Sequence, residues 1–183
     1  MEKIRRVPGF SLPELLVMVG IVTIMASVAL PSLLGAIQNS DFNAAVRQTA
    51  GDARLARSLA VSRGDRYRIH MGRDAAIGIP TLNNSYRVER RNPVSGWPPS
   101  TANMATSPDV ISNWQDVSSL YRGVSIQSVL DGASTAIDGA IFNSTGASVD
   151  SSNALRAVNI TLHKPDGTTK VIQVDPAGNV RVP

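Results

Sequence analysis

GFSLPELLVMVGIVTIMASVALPSLL, residues 9–34, decides how the rest of the chain can be arranged. Leu15 to Leu30 contain no ionisable side chain, and the apolar run continues past Pro31 to Leu34, about the 20 residues a helix needs to cross a bilayer. The stretch therefore reads as a membrane helix. One carboxylate, Glu14, stands at its head, and three basic residues, Lys3, Arg5 and Arg6, precede it. A carboxylate at the edge of hydrocarbon costs about 2.5 kcal/mol or more and is kept for a partner, here expected to be a positive charge. A cleaved secretory signal is the competing reading, because Ser27-Val28-Ala29 is a small-x-small site after an apolar core and a basic start. Glu14 at the head of the core, and a helical pattern that runs straight on past Ala29, speak against it.

Gly9-Phe10-Ser11-Leu12-Pro13-Glu14-Leu15 after its basic leader resembles the class III signal of type IV pilins and pseudopilins, whose common form is Gly-Phe-Thr-Leu-Ile-Glu-Leu. The resemblance implies a prepilin peptidase that cuts between Gly9 and Phe10 and N-methylates Phe10. It also implies that Glu14, fifth in the mature chain, pairs with the new amine of a neighbouring subunit during assembly. The expected partners are other major or minor pilins or pseudopilins, the peptidase and an inner-membrane assembly platform. The expected location is the bacterial inner membrane, spanned once with the C-terminal domain in the periplasm, and then the filament. Pro13 departs from the pattern, but the first four N–H groups of a helix have no intrahelical acceptor, so proline forfeits no bond there.

Helical periodicity continues to Arg63. Phe42, Val46, Thr49, Ala53, Ala56 and Ala60 recur every three or four residues as an alanine-rich stripe that can lie close against a sheet, and Gly64-Asp65 ends it. Leu55 and Leu59 point away from that stripe, as in a helix that packs on two sides. A helix of about 50 residues spans roughly 75 Å, far more than a bilayer requires. Pro31 removes the bond to the Ser27 carbonyl and Gly20 is a second weak point. In the pilin family the corresponding stretch can unwind on assembly, which makes Gly20 and Pro31 a candidate hinge.

After Gly64 the period changes to two. Strands are expected at 66–71, 86–91, 124–129, 140–142, 158–163, 170–174 and 179–182, with turns at Lys164-Pro165-Asp166-Gly167 and Asp175-Pro176-Ala177-Gly178. Residues 92–119, rich in Pro, Ser, Asn and Thr, hold both tryptophans, Trp97 and Trp114, and read as a long, mobile insertion. The fold expected is α+β: a leader (1–9), a transmembrane and assembly helix (10–34), its amphipathic continuation (35–64) and a periplasmic antiparallel β domain (65–183). The helix packs its C-terminal half on that domain.

Aromatic residues make up only 4% of the 183 residues, so a core must come from Val, Ile, Leu and Ala. No cysteine is present, which removes disulfides and thiolate metal sites. His70 and His163 fall in separate strands without spaced carboxylates, and no nucleophile elbow or phosphate loop follows a strand. Neither enzyme activity nor a metal or other cofactor is expected.

Ala56 to Gly64, Ile141-Phe142-Asn143-Ser144-Thr145-Gly146 and the closing Gly178-Asn179-Val180-Arg181 resemble, in that order, the GspH/FimT group of minor pilins and pseudopilins. That resemblance implies a minor pilin that initiates or caps a type IV pilus, or a GspH-type pseudopilin of a type II secretion system. A third reading is DNA uptake, since some FimT proteins bind DNA through a C-terminal Gly-Arg-x-Arg motif, of which only Arg181 stands here. The candidate DNA-binding residues are Arg181 with Arg63, Arg66, Arg68 and Arg73. Asp52, Asp65, Asp74 and Glu89 are interleaved among the arginines, and net charge falls from +4 to +2 without the leader's three basic residues and one acid. A solvated or subunit-contact face is the rival reading of the same cluster.

Overall fold

A computed structural model of the chain describes residues 11–72 and 84–183; Gly9, Phe10 and Arg73 lie outside them. Helix α1 runs Leu12–Arg63, and the chain divides into two compact units, Met1–Asn39 and Ser40–Pro183.

In the first unit α1 is long and apolar enough to cross a membrane. Leu15, Leu16, Val17, Ile21, Val22, Ile24 and Met25 are each more than half exposed. Two of its hydroxyls turn back onto the helix, Thr23 Oγ1 donating to the Val19 carbonyl at 2.8 Å and Ser27 Oγ to that of Ile24 at 2.7 Å. Polar groups satisfied within the segment are what a hydrocarbon environment demands. α1 is helical through both Gly20 and Pro31.

In the second unit Phe42, Ala45, Val46, Thr49, Ala50, Ala53, Ala56 and Ala60 form a fully buried stripe. Methyl side chains let the helix approach the strands closely. Leu55 is exposed as expected, but Leu59 is half-buried and joins the core, so the two leucines do not share an outer face. At the C-terminus Gly64 takes φ 71° and donates to the Ala60 carbonyl at 3.0 Å, closing the last turn.

The described β elements are β1 (Tyr67–Met71), β2 (Ser85–Arg90), β3 (Gln115–Asp116), β4 (Ser125–Asp131), β5 (Gly139–Phe142), β6 (Ser148–Val149), β7 (Val158–His163), β8 (Thr169–Val174) and β9 (Val180–Arg181). A single turn of helix, α2 (Val117–Leu120), is capped by the Asp116 carboxylate on Ser118 N–H at 2.8 Å. The strands form two antiparallel sheets, one ordered β3-β2-β1-β5-β6 and the other β4-β7-β8-β9. The last three strands make the expected meander, turning at Lys164–Thr168 and Asp175–Asn179. β3, β6 and α2 carry no periodicity of their own; two paired residues are too few to show one.

The largest departure from expectation is in β1 and β2. Their alternation predicts one dry face and one wet face, yet every residue of β1 is buried and only Arg90 of β2 is half-exposed. The second face is covered by residues 92–114. That segment is hydrogen-bonded within itself and to β2: Asn92 and Gly96 exchange backbone bonds at 2.8 and 3.0 Å, and Arg90 N donates to the Asp109 carbonyl at 2.7 Å.

Candidate functional site

Glu14 lies in the first turn of α1, exposed, with one carboxylate oxygen 3.4 Å from both the backbone N–H and the hydroxyl of Ser11. Ser11-Leu12-Pro13-Glu14 thus has the spacing of a capping box, in which the acid reaches back to the residue before the helix. The S-x-x-E pattern was there to be read and gives Glu14 a second, local role. The expected partner of Glu14 is the Phe10 amine of a neighbouring subunit, and Phe10 itself lies outside the described residues.

The arginines of the helix end and the first sheet are divided among three tasks. Arg63 and Arg181 are exposed, and Arg66 is half-buried with Nη1 3.4 Å from the Ser151 carbonyl. Arg54 and Arg57 tie the helix to the end of the chain. Arg54 Nη2 donates to the Val180 carbonyl at 3.0 Å; Arg57 donates to the carbonyls of Gly146 (3.1 Å) and Ala177 (3.2 Å) and to Asn179 Oδ1 (3.2 Å). This packing explains Gly178, whose φ is 82° and whose added Cβ would sit 1.8 Å from the Gly146 carbonyl oxygen.

Arg68 belongs to the third group and is a correction to the basic-face reading, because it is only 7% exposed and is withdrawn from solvent phosphates. The antiparallel register sets Arg68 opposite Glu89 and His70 opposite Arg87, and the two-residue period puts all four on the face turned away from Tyr67, Ile69, Tyr86 and Val88. Glu89, fully buried, is the centre. It accepts from Arg68 Nε at 2.7 Å, from His70 Nδ1 at 3.0 Å and from Arg87 Nε. Arg68 Nη1 continues to Asp138 at 2.9 Å. The two arginines are balanced by two carboxylates, which a buried charge cluster requires. His70, which has no carboxylate at ligand spacing in the sequence, finds one in Glu89 of the neighbouring strand.

The loop closes over this cluster through its tryptophans. The Arg68 guanidinium lies 4.4 Å from the Trp97 ring centroid and that of Arg87 lies 4.5 Å from Trp114. His70 and Trp114 have ring centroids 5.2 Å apart, tilted by 56°. Arg87 also donates to the carbonyls of Pro99 (2.9 Å), Ser100 (3.3 Å) and Ala102, while Trp114 Nε1 donates to that of Ser100 at 3.0 Å. Burial alone would push the Glu89 carboxyl up, but the bond from His70 and the charges of Arg68, His70 and Arg87 outweigh it and hold it at about 2. At the rim, Arg90 Nη2 pairs with Asp109 at 2.6 Å, and Asp109 also accepts from Asn92 Nδ2 at 3.0 Å.

Elsewhere helix and β2 meet through Tyr86 OH, which donates to Asp52 at 2.8 Å; burial raises the Asp52 carboxyl. His163 stands 3.0 Å from Ser125 Oγ. Among the described residues no group of three or more His, Cys, Asp or Glu is placed to hold a metal ion.

A long N-terminal helix carried into a β domain of two antiparallel sheets is the α+β fold of type IV pilin-like subunits. The chain is similar to the minor pseudopilin EpsH from the type 2 secretion system of Vibrio cholerae, with a TM-score of 0.51 and 10% identity over 78% of this chain and 96% of that one. It is equally similar to the type IV minor pilin FimU of Pseudomonas aeruginosa PAO1, at 0.51 and 14% identity over 79% of this chain and 90% of that one. At such identities the likeness is one of fold. No protein-family profile and no curated protein sequence matches the chain.

Proposed function

We propose that this chain is a minor pilin or pseudopilin: a structural subunit, not an enzyme, that enters a type IV pilus in small numbers and initiates or caps it. The observation that carries the reading is the 52-residue helix, whose C-terminal half belongs to a domain of this fold while the apolar side chains of its N-terminal half stand exposed. Lipid before assembly and neighbouring helices afterwards would cover them. In this reading the chain spans the inner membrane once with its β domain in the periplasm. The prepilin peptidase cleaves between Gly9 and Phe10 and methylates Phe10, Glu14 meets the amine of an adjacent subunit, and Gly20 and Pro31 bound the stretch that yields on assembly.

The equal likeness to EpsH favours a second reading, a pseudopilin of a type II secretion system with the same processing and assembly chemistry. Nothing favours DNA uptake in the same way. With Arg68 buried, only Arg63, Arg66 and Arg181 of the described candidates are left to meet phosphates.

Intact mass of the processed protein tests the reading: a chain starting at N-methylated Phe10 is expected, and one starting at Leu30 would mean an ordinary secretory signal. Glu14→Gln is expected to leave membrane insertion and the β domain intact while lowering the protein's share of sheared filaments. Equal incorporation of variant and parent would remove the assembly role of Glu14.

A further inference from the structure

The loop that covers the ionic cluster carries a shallow, open depression lined by Asn103, Met104, Ala105, Asn113 and Trp114. Trp114 is an immobilised platform there. Its indole N–H is taken by Ser100, and its ring is held against the guanidinium of Arg87 and the imidazole of His70, both of which are buried. Rigid aromatic surface offered beside a few polar groups is the usual make-up of a small-ligand site.

The polar groups are specific about what they can accept. Asn103 Oδ1 takes the N–H groups of Ala105 and Thr106 at 2.9 and 3.1 Å, and Asn113 Oδ1 takes that of Met104 at 3.1 Å. Both side-chain oxygens therefore serve the loop itself. Both amide –NH₂ groups have no protein acceptor among the described residues, and Met104 is 55% exposed beside them. The lining holds no charged side chain. An ionic ligand would find no counter-charge, and a purely apolar one would leave the two amide donors stranded. A pyranose ring supplies both halves of the match, an apolar C–H face for the indole and hydroxyl or ring oxygens for the amides.

We propose that the Asn103, Asn113 and Trp114 depression is a binding subsite for a neutral saccharide. The assignment goes beyond filament assembly and does not rest on it. Trp97 and Trp114 are the two tryptophans of the chain, so intrinsic fluorescence reads the site directly. The full chain, carrying Trp97→Phe and held in a detergent without a sugar headgroup, is titrated with maltotriose, cellotriose and diacetylchitobiose. At least one should give a saturable change in Trp114 emission, with a dissociation constant of about 1 mM for so shallow a contact. Asn103→Asp and Asn113→Asp keep the oxygen that holds the loop but remove the amide donor. Each should weaken binding about tenfold without moving the unfolding midpoint. The same titrations on ¹⁵N-labelled wild type, followed at the Asn103, Met104 and Asn113 amides, keep the test decisive should Trp97→Phe disturb the loop. No saturation by any of the three sugars, or unaltered binding by both Asp variants, overturns the assignment. So does saturation by a neutral proline-rich peptide in the absence of any sugar response.

Discussion

β1 and β7 carry the same pattern and meet opposite fates. In Val158–His163 the apolar residues are buried and Asn159, Thr161 and His163 are half-exposed, as alternation predicts. In Tyr67–Met71 the alternate residues, Arg68 and His70, are buried along with Tyr67 and Ile69. The difference lies in the chain beyond each strand. β7 turns within a few residues into β8, whereas the sheet around β1 is succeeded by a segment long enough to return over it. A charged face can be covered only if its charges are matched locally, and Glu89 supplies that match for Arg68 and Arg87, with Asp138 beyond Arg68. One sheet is thus held by apolar burial on one side, while the other adds an electrostatic layer on its second side.

Removing the centre of that layer should break the contrast most sharply. Glu89→Gln leaves Arg68 and Arg87 buried around a neutral amide, and an expected loss of about 3–5 kcal/mol should appear in urea unfolding, with redshifted tryptophan emission as the loop lifts. A variant within experimental error of wild type would show that the cluster contributes nothing net.

Acid should act on the same group more gently. The Glu89 carboxyl is held at about 2 against an ordinary value of 4.5, so its contribution is complete above the ordinary value and is lost as pH falls through about 2. About 3 kcal/mol should disappear between about pH 5 and pH 2. This acid limb should flatten in Glu89→Gln; an unchanged limb would assign the acid sensitivity elsewhere.

A smaller effect is expected at the cover itself. Trp97→Leu keeps apolar bulk but removes the ring beneath the Arg68 guanidinium, for a loss of about 1 kcal/mol in the same unfolding measurement. On β7 the wet face should be nearly silent: Thr161→Ala is expected to stay within about 0.5 kcal/mol of wild type. A loss there as large as at Trp97 would erase the distinction between the two sheets.

The long helix, its alanine stripe, its stop at Gly64 and the closing meander were legible because each is a local pattern carried by neighbouring residues. Arg87-x-Glu89 and Arg68-x-His70 were equally visible as letters, but their pairing is a matter of register between strands, with part of the connection outside the described residues. Composition did not show how 92–114 meets the sheet. Its anchors are backbone carbonyls that gather a buried guanidinium, and carbonyls are present in every sequence. Arg68 was counted on the arginine face for a related reason, since counting charges does not distinguish an arginine in solvent from one stacked on tryptophan.

The bonds that Arg54 and Arg57 make to residues 89 to 126 positions further along the chain also bear on how the molecule comes into being. During synthesis the helix leaves the ribosome well before the acceptors at Gly146, Ala177, Asn179 and Val180. The alanine stripe therefore waits for strands made much later, which makes folding of the domain a long-range event. Until those strands are in place the helix is undocked, with two guanidinium groups lacking these acceptors.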